Sequence, residues 1–152
     1  MTTPNEPAGA AAGRILVLRA GPHTAALPWA AAREVAPRPA LARLPGAPPV
    51  VSGVVNVRGA FVPLVELDAL LGHEPAPRTA GWIVVVEHDA QAVAIAVDAL
   101  PALGDALPSA EAGATAPRPR EVRVEDRMVP LLEAADLVAR ILQPKLAASL
   151  GN

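Results

Sequence analysis

The sequence predicts a mainly β protein built as two small β-barrels related by internal duplication, with few and short helices. Three observations support this class: apolar residues alternate with a period of two in several short runs, similar runs recur at a fixed offset, and 18 prolines interrupt the chain. Alternation is typical of strands with one buried face, whereas proline ends helices and turns the chain. Closing each sheet into a barrel also removes the exposed edges that would otherwise aggregate.

The first hairpin is predicted in RILVLRAGPHTAALPW, where a β-rich run, a Gly-Pro bend and a second apolar run follow one another. Its copy is WIVVVEHDAQAVAIAV. Residues 83–86 of the copy lie 68 positions after residues 15–18, and the bend at 88–90 lies 68 positions after the bend at 20–22. The sequence therefore contains one hairpin twice.

A second hairpin is predicted in VVNVRGAFVPLVELDALLG, and its copy, VRVEDRMVPLLEAADLV, aligns 67 positions later. Each hairpin leads into a short helix-like end, ELDALLG in the first unit and EAADLVARIL in the second. Two independent matches at nearly the same offset indicate an internal duplication, which decides the architecture. Since neither unit can bury much surface alone, we expect the two to share an apolar seam.

The bend of the second hairpin places polar residues inside an apolar stretch. Because side chains alternate across a strand, Val55 and Val57 are expected to enter the barrel while Asn56 and Arg58 face outward. Gly59 then allows the backbone to turn with positive φ. The polar tip is thus compatible with an apolar core.

Composition excludes several classes of function. The 13 basic and 15 acidic residues are interspersed, and the three aromatic residues are Trp29, Phe61 and Trp82, so we expect no nucleic-acid partner. Cysteine is absent, which removes disulfides and thiolate metal sites. No apolar run approaches the roughly 20 residues needed to span a bilayer. We therefore expect no membrane insertion and interpret the protein as soluble and cytoplasmic.

No motif for catalysis, a metal or a cofactor is recognised in the sequence. His23, His73 and His88 have no companion at the spacing of metal ligands, and the neighbouring pair His88-Asp89 would point apart in an extended chain. No serine lies in a nucleophile elbow, and no glycine-rich phosphate cradle occurs. Glu66 and Asp68 could be read as an acid and a base, but their position at a strand end favours helix capping. We expect no cofactor, no bound metal and no enzymatic activity.

The stretch VVSGVVNVRGAFVPLVELDALLG resembles the central signature of the CheW-like family, which combines N-L-R-G with an aliphatic-Pro-aliphatic run ending in D-L. The resemblance extends from Arg14 to about Leu142 and includes AAREV, LPGAPPVVSG and AVDAL. It implies two intertwined SH3-like β-barrel subdomains in a CheW-like domain over residues 14–146. Residues 1–13 are expected to form a disordered N-terminal tail and residues 147–152 a C-terminal tail.

The family resemblance implies a non-enzymatic adaptor of a bacterial chemosensory array. The implied partners are the regulatory domain of a CheA-type histidine kinase, docked on one subdomain, and the cytoplasmic tip of a chemoreceptor, received in the groove between subdomains. Such an adaptor would be cytoplasmic and recruited to membrane receptor arrays.

The resemblance also implies partner-binding residues. Asn56, Arg58 and Gly59 match the family motif, Glu34 stands where family members usually have an acidic partner for the Arg, and Asp98 belongs to AVDAL. An exposed ion pair adds only about 0–1 kcal/mol to stability, whereas Arg is a common anchor at interfaces. A partner contact therefore explains an Arg at this bend better than stability does.

The chain departs from the family pattern in three places. Glu66 and Asp68 differ from the usual residues, residues 99–119 are rich in Pro and Ala where the family tends to have a regular strand, and the turn VEDR lacks Gly. These departures would suit a divergent CheW-like scaffold of another two-component pathway. Two further alternatives are a β-barrel that binds nucleic acid and an enzyme with an unfamiliar site between the barrels.

Overall fold

A computed structural model describes residues 13–78, 80–106 and 121–142, which form ten strands and two α-helices. In chain order these are β1 (Gly13–Ala20), β2 (His23–Pro28), β3 (Ala32–Pro37), β4 (Val51–Val57), β5 (Ala60–Glu66), α1 (Leu67–Leu70), β6 (Trp82–His88), β7 (Gln91–Val97), β8 (Ala102–Ala106), β9 (Glu121–Val124), β10 (Arg127–Pro130) and α2 (Ala134–Leu142). A single 3₁₀ turn at Trp29–Ala31 joins β2 to β3. Apart from Gly13, which begins β1, both predicted tails lie outside the described residues.

The two barrels exchange strands between the two repeats. One is a five-stranded sheet with the order β3-β6-β7-β5-β4, which we call the β6 barrel. The other, the β1 barrel, combines the sheet β2-β1-β8 with the hairpin β9–β10. The β6 barrel thus combines the first hairpin of the second repeat, β6–β7, with strands of the first repeat, and the β1 barrel combines the first hairpin of the first repeat, β1–β2, with strands of the second. The predicted mainly β architecture of two intertwined, duplicated barrels is confirmed.

The exchange is made by equivalent parallel contacts in the two barrels. In the β6 barrel, β5 runs parallel to β7, with Leu64 opposite Ala94. In the β1 barrel, Leu131 forms a parallel bridge to Ala26, and the Leu132 N–H donates to the Ala26 carbonyl over 2.8 Å. Leu131 lies 67 positions after Leu64, and Ala94 lies 68 positions after Ala26, so the two parallel contacts join equivalent residues of the two repeats. The duplication therefore includes contacts between distant strands as well as the hairpins.

The segment rich in Pro and Ala, residues 99–119, contains a strand. Residues 102–106 form β8, antiparallel to β1 with Leu103 opposite Leu16. The edge of β1 that is not paired with β2 supplies the hydrogen-bond partners that make this Ala- and Gly-containing segment extended. Residues 107–119, the remainder of the departure, lie outside the described residues.

The turn between β9 and β10 forms without glycine. Of its two central residues, Glu125 has positive φ (57°), whereas Asp126 is not among the described residues with positive φ. A single non-glycine residue can adopt the left-handed conformation at modest cost. Because only Glu125 has positive φ in this turn, the turn needs no glycine. The sequence VEDR therefore closes the hairpin β9–β10 by a different turn from the one that VRGA forms in the equivalent hairpin β4–β5.

The predicted apolar seam is the largest group of buried side chains in the described residues. On β1, Leu16 and Leu18 face the seam while Ile15 and Val17 face the interior of the β1 barrel. Both faces of this strand are buried, which explains its continuous apolar run. The seam also contains Leu27, Val65, Leu67, Leu70, Val84, Val86, Val93, Ile95, Leu132, Leu137 and Ile141.

Candidate partner-binding site at the β4–β5 turn

The β4–β5 turn is a two-residue hairpin loop with both central residues in the left-handed region. Val57 pairs with Ala60, and the intervening Arg58 and Gly59 have φ of 52° and 89°. The Asn56 Oδ1 accepts a hydrogen bond from the Gly59 N–H over 2.8 Å. Asn56 and Gly59 therefore build the turn, and Arg58 is the residue that it displays.

Arg58 extends from this turn to β3. Its side chain is 79% exposed, and its Nε donates to the Glu34 Oε1 over 2.9 Å, whereas the Glu34 side chain is 17% exposed. The Glu34 Oε2 is buried and accepts no hydrogen bond, although the Arg33 guanidinium lies 3.8 Å away. The expected pairing of Glu34 with Arg58 is present, with the carboxylate shielded and most of the arginine accessible.

Phe61 adds an apolar group to the same surface. It lies opposite Asn56 in the β4–β5 register and is 73% exposed. Exposed aromatic side chains of this size are common anchors at protein interfaces. Sequence reasoning missed Phe61, although the alternation that turns Asn56 outward also turns its cross-strand partner outward.

Asp98 belongs to a different part of the molecule. Its backbone N–H donates to the Arg19 carbonyl over 2.9 Å, and its carboxylate accepts the Gly21 N–H and pairs with the Arg78 guanidinium. These contacts link the end of β7 to the β1–β2 turn. The structure therefore brings Glu34, Asn56, Arg58 and Gly59 together and does not place Asp98 among them.

Glu66 and Asp68 do not cap α1, so that expectation was wrong. Glu66 occupies the N-cap position without a side-chain capping hydrogen bond, and both carboxylates are buried. The Arg38 Nη2 lies 2.8 Å from the Glu66 Oε2, and the Arg78 Nη1 lies 2.9 Å from the Asp68 Oδ2. Two arginines that are distant in sequence thus neutralise the pair.

The environment of Asp68 determines its protonation. Burial by itself raises the pKa of Asp68, but the Ala76 N–H and the Arg78 guanidinium outweigh burial and hold this pKa below its usual value. Burial likewise lowers the pKa of Arg78, and the hydrogen bond and charge of Asp68, followed by Asp98, outweigh it and raise that pKa. Both groups are therefore charged at neutral pH, as a structural ion pair requires.

All three histidines have companions that sequence reasoning did not anticipate. The rings of His23 and His73 stack with centroids 3.9 Å apart and an interplanar angle of 14°. His88 Nε2 lies 3.5 Å from the Asp89 carboxylate because Asp89 is in a turn with φ of 52° and is not extended. Within the described residues, no three His, Asp or Glu side chains are grouped so that they could hold a metal ion.

The α-helices of the described residues are both short. Neither is long and apolar enough to cross a membrane.

A comparison with protein families decides how these features are to be read. The model of the CheW-like domain matches residues 14–141, which include every described strand except for the first residue of β1. The chain belongs to the CheW-like family. Members of this family are non-catalytic adaptors and scaffolds, and this role agrees with a site made of a displayed arginine and an exposed aromatic side chain.

Curated relatives of this CheW-like protein support the assignment. A probable chemotaxis protein CheW of Rhizobium etli is 38% identical over 58 residues, which cover 38% of this chain and 37% of the relative. The chemotaxis protein CheW of Rhizobium meliloti is 31% identical over 87 residues, covering 57% and 56%. Protein PilI of Pseudomonas aeruginosa is 43% identical over 56 residues, covering 36% and 32%. The chain thus matches from about a third to just over half of these relatives' length.

The solved structure of the scaffolding protein TtCheW from Thermoanaerobacter tengcongensis has the same fold. It superposes with a TM-score of 0.62 at 20% sequence identity, covering 80% of this chain and 88% of TtCheW. At this identity the comparison supports the fold of two SH3-like barrels and carries no information on individual site residues.

Proposed function

We propose that this CheW-like protein is an adaptor of a bacterial chemosensory array that couples chemoreceptors to a CheA-type histidine kinase. One subdomain docks on the regulatory domain of the kinase, and the groove between the barrels receives the cytoplasmic tip of the receptor. The protein therefore acts on the cytoplasmic side of membrane receptor arrays, to which its partners recruit it.

The observation that carries this proposal is the display of Arg58 at the β4–β5 turn of a CheW-like domain. A carboxylate with little solvent access orients the guanidinium, while 79% of the arginine side chain remains accessible. An arginine that is held in one orientation loses less conformational entropy on binding, so it is a better anchor than a free arginine. Asn56 and Gly59 contribute to binding by shaping the turn.

Asp98 is included in the proposed site on the strength of the family resemblance alone. Its contacts with Arg19 and Gly21 place it at the junction between the barrels. A role in binding through the groove is therefore compatible with its position.

The proposal is tested by calorimetric titration of the chain with two partners from the same organism, a kinase regulatory domain and a receptor tip. We expect wild type to bind both partners. Arg58→Ala should weaken binding to at least one of them by about tenfold or more, as for a truncated interface anchor. Arg140→Ala is the matched control, because Arg140 is an exposed helical arginine with a long 4.0 Å contact to Asp136.

The possible outcomes separate the adaptor role from the role of Arg58. Equal affinities of wild type, Arg58→Ala and Arg140→Ala would show that Arg58 is not an anchor. Failure of wild type to bind either partner would overturn the adaptor function itself.

A second candidate is a CheW-like scaffold of another two-component pathway. The match to the CheW-like domain favours this alternative over the nucleic-acid and enzyme hypotheses, and the departures of Glu66 and Asp68 from the family pattern motivate it. The same titration with the partners of a second chemosensory system of that organism distinguishes it, since binding to that set alone would assign the other pathway.

A further inference from the structure

Five residues connect the two barrels at one end of the seam. Gly21 and His23 belong to the hairpin β1–β2, His73 and Arg78 to the segment between α1 and β6, and Asp98 follows β7. We call these five residues the clasp. Its contacts come from three separate parts of the chain, none of which is adjacent to the β4–β5 turn in sequence.

Within the clasp, Arg78 forms ion pairs with the buried carboxylates of Glu66 and Asp68. The Arg78 side chain is 11% exposed, and its Nη1 lies 2.9 Å from the Asp68 Oδ2 and 3.3 Å from the Glu66 Oε1. Arg38 holds Glu66 from its other side at 2.8 Å. Since these carboxylates are nearly inaccessible to water, the guanidinium has few alternative positions.

The clasp also reaches the β1 barrel. The Arg78 Nε pairs with the Asp98 Oδ1, while the Asp98 Oδ2 accepts the N–H of Gly21. The Asp98 N–H donates to the Arg19 carbonyl over 2.9 Å, and this bond ties the end of β7 to β1. The stacked rings of His23 and His73 join the same hairpin to the segment that carries Arg78.

We propose that Arg78 is a positioning residue that sets the relative placement of the two barrels by holding Asp98 against the β1–β2 turn. The effect on binding rests on the proposed function. A receptor tip that contacts both barrels binds best when the spacing of the barrels is preorganised. A kinase domain that docks on one barrel does not depend on that spacing. Arg78 is too buried to be a contact for either partner. Asp98, which the family resemblance assigns to partner binding, acts through the clasp.

The absence of cysteine from the chain allows a direct test. His23→Cys/His73→Cys places two thiols where the rings stack, and dibromobimane, which fluoresces only when it bridges two thiols, closes the clasp covalently. The variants are Arg78→Gln and Asp98→Ala, each made with and without this bridge. Arg140→Gln, which removes an exposed arginine from α2, is the matched control.

The first measurement is hydrogen exchange, which needs no partner. The amides of Gly21 and Asp98 donate across the clasp, so we expect Arg78→Gln and Asp98→Ala to increase exchange in peptides containing them by about tenfold. The bridge should reduce that increase, and Arg140→Gln should not change exchange there. Unchanged exchange in both variants would overturn the clasp, as would failure of dibromobimane to bridge the two thiols in the otherwise native chain.

The second measurement is the affinity for the receptor tip and for the kinase domain. Loosening the clasp should weaken receptor binding by about tenfold and leave kinase binding unchanged, and the bridge should restore receptor binding. If the bridge does not restore it, Arg78 and Asp98 do not act by positioning. Asp98→Ala keeps the inference testable if Arg78→Gln does not fold. If wild type binds no receptor tip, the proposed function fails while the exchange experiment still decides the clasp.

Discussion

Arg58 and Glu34 join the two edge strands of the β6 barrel. Glu34 lies on β3 and Arg58 directly follows β4, and these strands are the first and the last in the order of the five-stranded sheet. The Arg58 Nε donates to the Glu34 Oε1 over 2.9 Å. The pair thus spans the closure of the barrel. The hydrogen bond to Glu34 therefore fixes the orientation of Arg58, the residue that we propose contacts partners.

The pair should add little to stability. Because Arg58 is 79% exposed, solvent screens its attraction to Glu34, and we expect Arg58→Ala to lower the free energy of unfolding by only about 0–1 kcal/mol. Urea denaturation measures this change. A loss several times larger would mean that Arg58 is present for barrel closure and not for a partner.

The buried pair of Arg38 and Glu66 should matter much more. Their side chains are 4% and 7% exposed, so Arg38→Met leaves a buried carboxylate with one fewer partner and should cost about 3–5 kcal/mol. Arg38→Met/Glu66→Gln should recover part of the loss, because the two residues are coupled. Arg140→Met is the exposed control, and additive losses in the double variant would contradict the coupling.

Asp68 should make stability depend on acid pH. Its pKa is lower in the folded chain than the unfolded value of about 3.9, so its contribution is present above that value and lost as pH falls through the folded pKa. Asp68→Asn should therefore reduce the loss of unfolding free energy between neutral and strongly acidic pH. Asp105→Asn, at an exposed position on β8, should leave that dependence unchanged. Parallel pH profiles of wild type and Asp68→Asn would contradict the expectation.

A side chain added at Gly53 should destabilise the protein. A Cβ at this position would overlap the Ala42 carbonyl oxygen and lie 2.9 Å from the Leu41 Cδ1. The Ala42 N–H donates to the Val54 carbonyl and the Val54 N–H to the Ala42 carbonyl, so the backbone cannot move away without losing both bonds. We expect Gly53→Ala to cost about 1–3 kcal/mol in urea denaturation. Gly104→Ala, where the added Cβ meets the Val17 Cγ2 at 3.6 Å, is the control, and equal losses would refute the steric argument.

Local geometry explains what could be read from the sequence of the β4–β5 hairpin. Val55 and Val57 are buried and Asn56 and Arg58 are exposed, as alternation predicts, because successive side chains of a strand must point to opposite faces. The left-handed φ of Gly59 follows from the two-residue loop. These features depend on neighbouring residues only.

Contacts between distant residues could not be predicted in the same way. Arg78 meets Asp68, ten positions before it, and Asp98, twenty positions after it, and neither spacing follows from a helix or a strand period. His23 and His73 stack although 50 positions separate them. Sequence reasoning therefore assigned Glu66 and Asp68 to capping, which is the local explanation for a carboxylate at a strand end.

The sequence by itself determined the hairpins, the duplication and the outward display of Asn56 and Arg58, because each follows from periodicity or from comparing the chain with itself. The family resemblance implied intertwined barrels, but only the tertiary structure decided which strands the repeats exchange: β6 and β7 complete the barrel of β3, β4 and β5. The physical reason is that alternation specifies which face of a strand is apolar and does not specify which strand lies beside it. That choice depends on burying both faces of the central hairpins at once, which requires strands from both repeats.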